Sequence, residues 1–231
     1  MIYFVTGTDT DSGKTLISSA LLSLAQGNKC GFKPIASGCV LTPDGLRNPD
    51  AQALMAQSNM GLSYQQVNPI AFEPAIAPHI AAAQIDVTLS ASKVVEALLA
   101  TPILAADFAL IEGAGGWRLP LGNNQYLSDS VKQLDAYVQT HNAERVGVIL
   151  VVGMKLGCLN HALLTLQAIE ADGLKVVGWV ANQVDANMSE IAANLASLQQ
   201  MMTVPYLGYV PYLPQASAEL AAKHLDIAQL S

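Results

Sequence analysis

The stretch "MIYFVTGTDTDSGKT", residues 1–15, decides the fold. It runs from an apolar, β-rich segment at 2–5 into a Gly/Thr/Asp loop and ends on Gly13-Lys14-Thr15. A strand, a glycine-bounded loop and then a helix is the order in which backbone N–H groups and a helix N-terminus cradle a phosphate. The common spacing, G-x-x-x-x-G-K-[ST], puts the first glycine at position 8. Here position 8 is Thr8, and the glycine comes one residue early, at Gly7. Two carboxylates, Asp9 and Asp11, also stand in a loop that should receive an anion. Lys14 is placed to reach the β/γ-phosphates and the Thr15 hydroxyl to hold Mg²⁺.

Beyond the loop, short apolar runs alternate with longer amphipathic ones. Residues 16–26 carry Leu16, Ala20 and Leu24 with Ile17 and Leu21 at helical spacing. "CGFKPIAS" (30–37) reads as a short extended run, and "DFALIEGAGG" (107–116) as a strand running into glycines. "RVGVILVVG" (145–153) is apolar almost throughout, the pattern of a parallel strand covered on both faces. Residues 158–173 place Leu159, Leu163, Leu166 and Ile169 on one helical face, closed by Gly173. A strand at 175–184, a helix at 188–202 with Ser189 as its cap, and a strand and turn at 204–213 complete the series. "VLTPDGLRNPDAQ" (40–52) is the most loop-like stretch. Strand–helix alternation over the whole length predicts an α/β fold with a mostly parallel sheet, as a single domain over 1–231. Ligands in such sheets sit beyond the carboxyl ends of the strands.

Composition narrows the function. Of 231 residues, 52% are hydrophobic, ample for a buried core, and the net charge of −7 argues against a broad nucleic-acid-binding surface. Cys30, Cys39 and Cys158 are too few and too scattered for a disulfide framework or a metal cluster, so they read as free thiols in a reducing compartment. The chain opens without a basic leader, and no apolar run is long enough to span a membrane. The expectation is a cytoplasmic protein that binds neither nucleic acid nor membrane.

Other stretches bear chemistry. Glu112, at the end of a hydrophobic strand and before glycines, stands where a nucleotide hydrolase holds its Mg²⁺. Lys33, among Phe32, Pro34 and Ile35, reads as a partly buried amine able to neutralise a developing anionic charge. Asp50 by itself is an ordinary helix-start residue, with Asn48 as cap and Pro49 at the first helical position. His79 and His161, in apolar helical surroundings, read as satisfied structural histidines, and His141 and His224 as surface residues.

Taken in order, "VTGTDTDSGKT", "GFKPIASG", "GLRNPDA", "APHIAA", "LIEGAGGW", "ILVVGMKLGCLNHALLT" and "GWVAN" resemble the ATP-dependent dethiobiotin synthetase family, within the P-loop NTPase superfamily, over essentially the whole chain. The longer spacing between the loop glycines is typical of that family. The resemblance implies an enzyme that uses ATP, Mg²⁺ and CO₂ to carboxylate 7,8-diaminononanoate and close a ureido ring, yielding dethiobiotin, ADP and phosphate in biotin synthesis. It implies a nucleotide site of Asp11, Ser12, Gly13, Lys14, Thr15, Leu16, Asp50, Glu112, Gly113, Ala114, Gly115, Asn182, Gln183, Pro211, Tyr212 and Leu213. Thr15, Asp50 and Glu112 would surround Mg²⁺, which gives Asp50 a role beyond its helix start. Lys33 would be the catalytic lysine beside the substrate amine and its carbamate, with Lys14 as the second catalytic cation. Thr10 and Ser37 would contact the substrate. "KLGCLN" (155–160) resembles a turn that binds the substrate carboxylate across a homodimer interface, with Asn160 in the first helical turn. The chain departs from the family at Asp11, often Glu, at Ser12, often aliphatic, at Gln183, Asp in some relatives, and in the tail from Pro214 onward.

Two alternatives of other kinds stand beside this reading. Partition and cell-division switch ATPases carry a lysine five residues before the P-loop lysine, where this chain has Asp9. A non-catalytic nucleotide-binding regulator would need Lys14 but not Lys33, Ser37 or the "KLGCLN" turn. A paralogous ligase acting on another amine or carboxylate shares the same loop chemistry and stays open.

Overall fold

The structure is a computed structural model that describes residues 1–142 and 145–230. The expected domain over 1–231 takes in residues 143, 144 and 231, which lie outside the described residues.

The first half contains β1 (Ile2–Gly7), α1 (Lys14–Leu24), β2 (Lys29–Phe32), β3 (Ile35–Ala36), β4 (Val40–Thr42), β5 (Gly45–Arg47), α2 (Pro49–Ala56), α3 (Tyr64–Val67), β6 (Ile70–Ala71), α4 (Pro78–Ala83) and α5 (Ala91–Leu99). After a 3₁₀ turn at Ile103–Ala105 come β7 (Phe108–Gly116), β8 (Pro120–Gly122), β9 (Gln125–Tyr126), α6 (Leu127–Asn142), β10 (Val146–Met154), α7 (Cys158–Ala171), β11 (Lys175–Gln183), α8 (Ile191–Met201), β12 (Tyr206–Val210) and α9 (Ala218–Ala222).

Six strands form one sheet in the order β12-β11-β10-β1-β7-β2, and every pairing in it is parallel. Parallel pairing requires crossover helices, which cover both faces. The alternation along β1 shows this directly. Ile2 and Phe4 point into a core shared with Leu134, Leu150 and Trp179, while Tyr3 and Val5 point into a second core with Ile17, Leu21 and Ile149. β10 is buried at every residue, as its unbroken apolar sequence demands. β1 lies between β7 and β10, so its C-terminal end opens where the chain departs in opposite directions along the sheet.

Local chemistry moves several expected boundaries. The first helix runs over 14–24 rather than 16–26, because Gly13, at φ 83°, turns the chain directly into it. The extended run at 30–37 breaks at Lys33-Pro34, where proline offers no N–H to continue the ladder. Beyond the break, β3 leaves the main sheet and pairs with β6. The stretch 40–52 is not a loop but the β4–β5 hairpin followed by α2. Asn48 caps α2 by accepting a hydrogen bond from the Ala51 N–H, and Pro49 follows as expected. Gly173, at φ 76°, ends α7 as expected. Ser189 does not cap α8: the cap position is Glu190, in a left-handed conformation and with no side-chain cap bond.

Candidate active site

The loop between β1 and α1 is held from below and from the side. The Thr8 N–H donates to Val151 O at 3.0 Å, and the Thr8 hydroxyl accepts from the Gly153 N–H at 3.2 Å. On the other flank, Asn182 Nδ2 donates to Ser12 O at 2.9 Å. A Cβ on Gly13 would come closer than 3.0 Å to that Asn182 amide, so the close approach requires glycine. Asp9 turns its carboxylate away from the phosphate side: Oδ1 accepts from the Thr10 N–H and Oδ2 pairs with Lys155 at 3.1 Å. The Lys155 hydrogen bond is the main reason the Asp9 carboxyl is held below its ordinary range. The Lys14 ammonium donates to Asp9 O at 2.9 Å.

Groups from the end of β2, from β7 and from the first turn of α2 meet in front of this cradle. From β2 comes Lys33, 5% exposed, whose Nζ lies 2.6 Å from Glu112 Oε1, 3.1 Å from Asp50 Oδ2 and 3.1 Å from Gly113 O. From β7 comes Glu112, fully buried, which also accepts from the Thr15 hydroxyl at 2.8 Å. Burial alone would push the Lys33 ammonium down, but Glu112 and then Asp50 outweigh it and raise its pKa. Lys14 goes the other way. Burial and the charge of Lys33 lower it to about 8, with Glu112, Asp50 and Asp11 opposing. The site therefore holds two cations, one locked in its charged form and one easily discharged.

Thr10, Asp11, Gly13, Lys14, Thr15, Lys33, Ser37, Asp50, Glu112, Ala114 and Gly115 line one cavity of about 590 Å³, closed on its far wall by the segment 75–78. Gly113 is not among the lining residues, and its carbonyl accepts from Lys33 Nζ at 3.1 Å. Ser37 presents a buried hydroxyl with no partner among the described residues. Other expected residues lie elsewhere. The Ser12 hydroxyl is buried against Gly7 rather than facing the cavity. Leu16 lines a smaller cavity of about 370 Å³, with Thr15, Ser19 and the tail residues Ser217 and Glu219. Gln183 Oε1 accepts from the Tyr209 hydroxyl at 2.6 Å and the Tyr212 N–H at 3.2 Å, which ties β11 to the segment holding Pro211, Tyr212 and Leu213. Asn160 is exposed on α7, outside the cavity, and the neighbouring Leu156 is 97% exposed. Two histidine readings change: His79 has a buried Nδ1 without a hydrogen-bond partner among the described residues, and His161 is exposed. The three cysteines are free and buried.

The oxygen donors Thr15, Asp50 and Glu112 fit Mg²⁺. Glu112 Oε2 is buried with no hydrogen-bond partner among the described residues, an acceptor left over in a charged pocket. Among the described residues no group of three or more His, Cys, Asp or Glu side chains is arranged to hold a metal alone. Mg²⁺ characteristically takes one or two carboxylates and completes its shell with water and substrate phosphates. Among the described residues no helix is long and apolar enough to cross a membrane.

Sequence reasoning singled out neither Tyr64 and Asn68 nor Ala75 and Ile76 of the far wall, whereas Ala77 and Pro78 fall in "APHIAA" (77–82). Only a weak signal marked the first two: Ser63-x-x-Gln66, a capping box, opens the one-turn helix α3 that carries Tyr64.

Comparison with known proteins sets this geometry in a family. A family model described as an AAA domain matches residues 2–220. ATP-dependent dethiobiotin synthetase BioD of Cellvibrio japonicus is 50% identical over 231 residues, covering 99% of this chain and 96% of the relative. The protein of the same name from Pseudomonas paraeruginosa is 48% identical, covering 99% and 97%. Among solved structures, the septum site-determining protein MinD of Pyrococcus horikoshii, complexed with Mg-ADP, matches with a TM-score of 0.51 at 17% identity, over 96% of this chain and 86% of that one. A ParA family ATPase of Chlorobium tepidum matches at 0.50 and 10% identity, over 100% and 92%. At that identity the structural likeness shows the fold alone, that of P-loop nucleotide-binding proteins.

Proposed function

This chain belongs to the ATP-dependent dethiobiotin synthetase family, as an ATP-dependent cyclo-ligase of biotin biosynthesis, and from that premise we propose how its cavity carries out the reaction. The substrates are 7,8-diaminononanoate, CO₂ and ATP. One neutral amine of the diamine adds to CO₂ and loses a proton, giving a carbamate. A carbamate oxygen attacks the γ-phosphorus of ATP and ADP leaves, giving a carbamic–phosphoric mixed anhydride. The second amine, also neutral, attacks its carbonyl carbon, phosphate leaves, the nitrogen releases one proton to solvent, and the ureido ring closes.

Each step develops or moves negative charge, so positioning and fixed cations carry most of the catalysis. Backbone N–H groups of residues 11–15 hold the β-phosphate region, and Lys14 exchanges its bond to Asp9 O for the phosphates. Lys33 is the catalytic cation at the carbamate. Its buried partners keep it charged, so little reorganisation is needed when the anion forms. Thr10 and Ser37 hydrogen-bond the carbamate and the diamine, and Asp11 faces a substrate amine. Gly113, Ala114 and Gly115 border both ligands. Thr15, Asp50 and Glu112 would hold Mg²⁺, which would supply neutralising charge to the triphosphate. Asn182 and Gln183, with Pro211, Tyr212 and Leu213, form the adenine side, with Ser12 and Leu16 completing the nucleotide contacts.

The turn 155–160, with Leu156 exposed and Asn160 on the first turn of α7, is read as receiving the substrate carboxylate across a homodimer interface. Residues 1–231 form one domain in this reading, acting in the cytoplasm and contacting neither nucleic acid nor membrane.

The observation that carries the proposal is the convergence of Lys33, Asp50, Glu112, Thr15 and Lys14 on one cavity at the strand ends. The test is an ADP-release assay with ATP, Mg²⁺, bicarbonate and diaminononanoate, each omitted in turn. Turnover should require all four, and turnover independent of the diamine would reject the reading. Lys33→Gln, which keeps an N–H donor toward Glu112, should lose most turnover while remaining folded. Normal turnover in that variant would overturn the role given to Lys33.

A further inference from the structure

The two groups that meet at 3.1 Å in the cavity come from separate segments, Lys33 from the turn after β2 and Asp50 from the first turn of α2. Something must set their spacing, and one short helix touches both segments. The Lys33 N–H donates to Val67 O at 2.9 Å, and Lys33 O accepts from Asn68 Nδ2 at 2.6 Å. Both backbone groups of the lysine are thus taken by the C-terminal end of α3. Asn68 is 1% exposed, and its own N–H donates to Tyr64 O at 2.8 Å.

The same helix reaches Asp50 through one hydroxyl. Tyr64 Oη donates to Asn68 Oδ1 at 2.9 Å and accepts from the Asn48 N–H at 2.6 Å. Asn48 is the cap of α2, and Asp50 lies two residues further on, in the first turn of that helix. The Arg47 guanidinium lies 4.3 Å from the centre of the Tyr64 ring, which holds the ring against the end of β5. An uninterrupted chain of hydrogen bonds therefore runs from the Lys33 peptide through Asn68 and the Tyr64 hydroxyl to the cap of the helix that carries Asp50. We infer that Tyr64 and Asn68 are positioning residues that set the separation of Lys33 from Asp50.

The inference deepens the catalytic reading and rests on it, since Lys33 and Asp50 must matter for their spacing to matter. Neither Tyr64 nor Asn68 lines the cavity, so both act through other residues. Burial raises the Tyr64 phenol above its ordinary value, with the Asn48 bond opposing, so the hydroxyl remains a donor across the working pH range. Displacing a catalytic group by a fraction of an ångström lowers the rate of the chemical step far more than it weakens substrate binding.

Tyr64→Phe removes the shared hydroxyl and leaves the ring, the helix and the Arg47 contact. It should lower kcat about tenfold while the KM values for ATP and diamine change less than about threefold. Ser63→Ala is the control, because it removes the capping box of the same helix and leaves the Tyr64 hydroxyl in place. That variant should lose thermal stability comparably and keep kcat within about twofold of the parent. Two results would overturn the inference: a Tyr64→Phe enzyme with kcat within twofold of the parent, or Ser63→Ala losing kcat in parallel with Tyr64→Phe. Lys33→Gln, run alongside, separates the two levels. If it turns over normally, the catalytic reading has failed. If it is inactive while Tyr64→Phe is normal, only the positioning role has failed. Unfolding midpoints of all three variants establish that each is folded where it is assayed.

Discussion

Replacing Lys14 by methionine should remove a contribution that makes the ligand-free protein's stability rise with pH between pH 8 and 10.5. In the folded protein Lys14 is 7% exposed, and burial, reinforced by the charge of Lys33, lowers it from 10.5 to about 8. The unfolded chain keeps the ordinary value. Below pH 8 both states hold the proton, and the folded state bears the full cost of a desolvated, crowded ammonium. Between pH 8 and 10.5 the unfolded state binds more protons than the folded state, so stability rises with pH. A gap of about 2.5 pH units, at about 1.36 kcal/mol per unit, amounts to about 3 kcal/mol. Lys33 carries the opposite sign: its raised pKa contributes stability that is complete below 10.5 and lost only above it. Cys30 and Tyr206, both pushed up to about 12 mainly by burial, reduce stability as pH rises in this window, but parent and variant share them. The assay is denaturant unfolding of parent and Lys14→Met from pH 7 to 10.5. The difference between the two stabilities should change by about 3 kcal/mol across the window. Parallel curves would refute the claim that Lys14 is held in a hostile environment awaiting an anion.

Two glycine substitutions test other parts of the framework. Gly13→Ala adds a Cβ at φ 83° that collides with the Asn182 amide, so it should break the bond to Ser12 O and weaken ATP binding at least tenfold by calorimetry. Unchanged affinity would show that the loop tolerates a looser cradle. Gly208→Ala, at φ 143°, drives its Cβ into the His224 backbone carbonyl, which cannot rotate away, and should destabilise the protein by about 2 kcal/mol or more in urea unfolding. A loss under about 0.5 kcal/mol would mean that the tail moves freely off β12.

Legibility differed by kind of residue. The phosphate loop could be read because its signal is local, a glycine-bounded turn between a strand and a helix. Glu112 could be read because an acid at the end of an apolar strand interrupts an otherwise monotonous pattern. Asp50 could not be told from a helix-start residue by its own neighbours, and the resemblance to a family supplied its role. Ser189 misled because a serine before a helical run is a good cap by propensity, yet the chain enters α8 one residue later through Glu190 in a left-handed turn. The stretch 40–52 misled in another way. Its Pro, Gly, Asn and Asp content is equally that of a tight hairpin turn followed by a capped helix.

By itself, the order of residues determined the alternation of strands and helices, the anion cradle and the candidate cations. These depend on backbone preferences and apolar periodicity over a few neighbouring residues, which the linear chain displays directly. Only the tertiary structure decided that Lys33 touches both Asp50 and Glu112, that Lys14 and Lys33 are shifted in opposite directions, and that α3 ties the turn at Lys33 to the start of α2. Those outcomes depend on distances between groups far apart in the chain, such as Lys33 and Glu112, 79 positions apart. Such distances are set by how loops pack beyond the ends of a twisted parallel sheet. Burial then fixes the charge each group bears, and burial is a property of the packed molecule rather than of any segment.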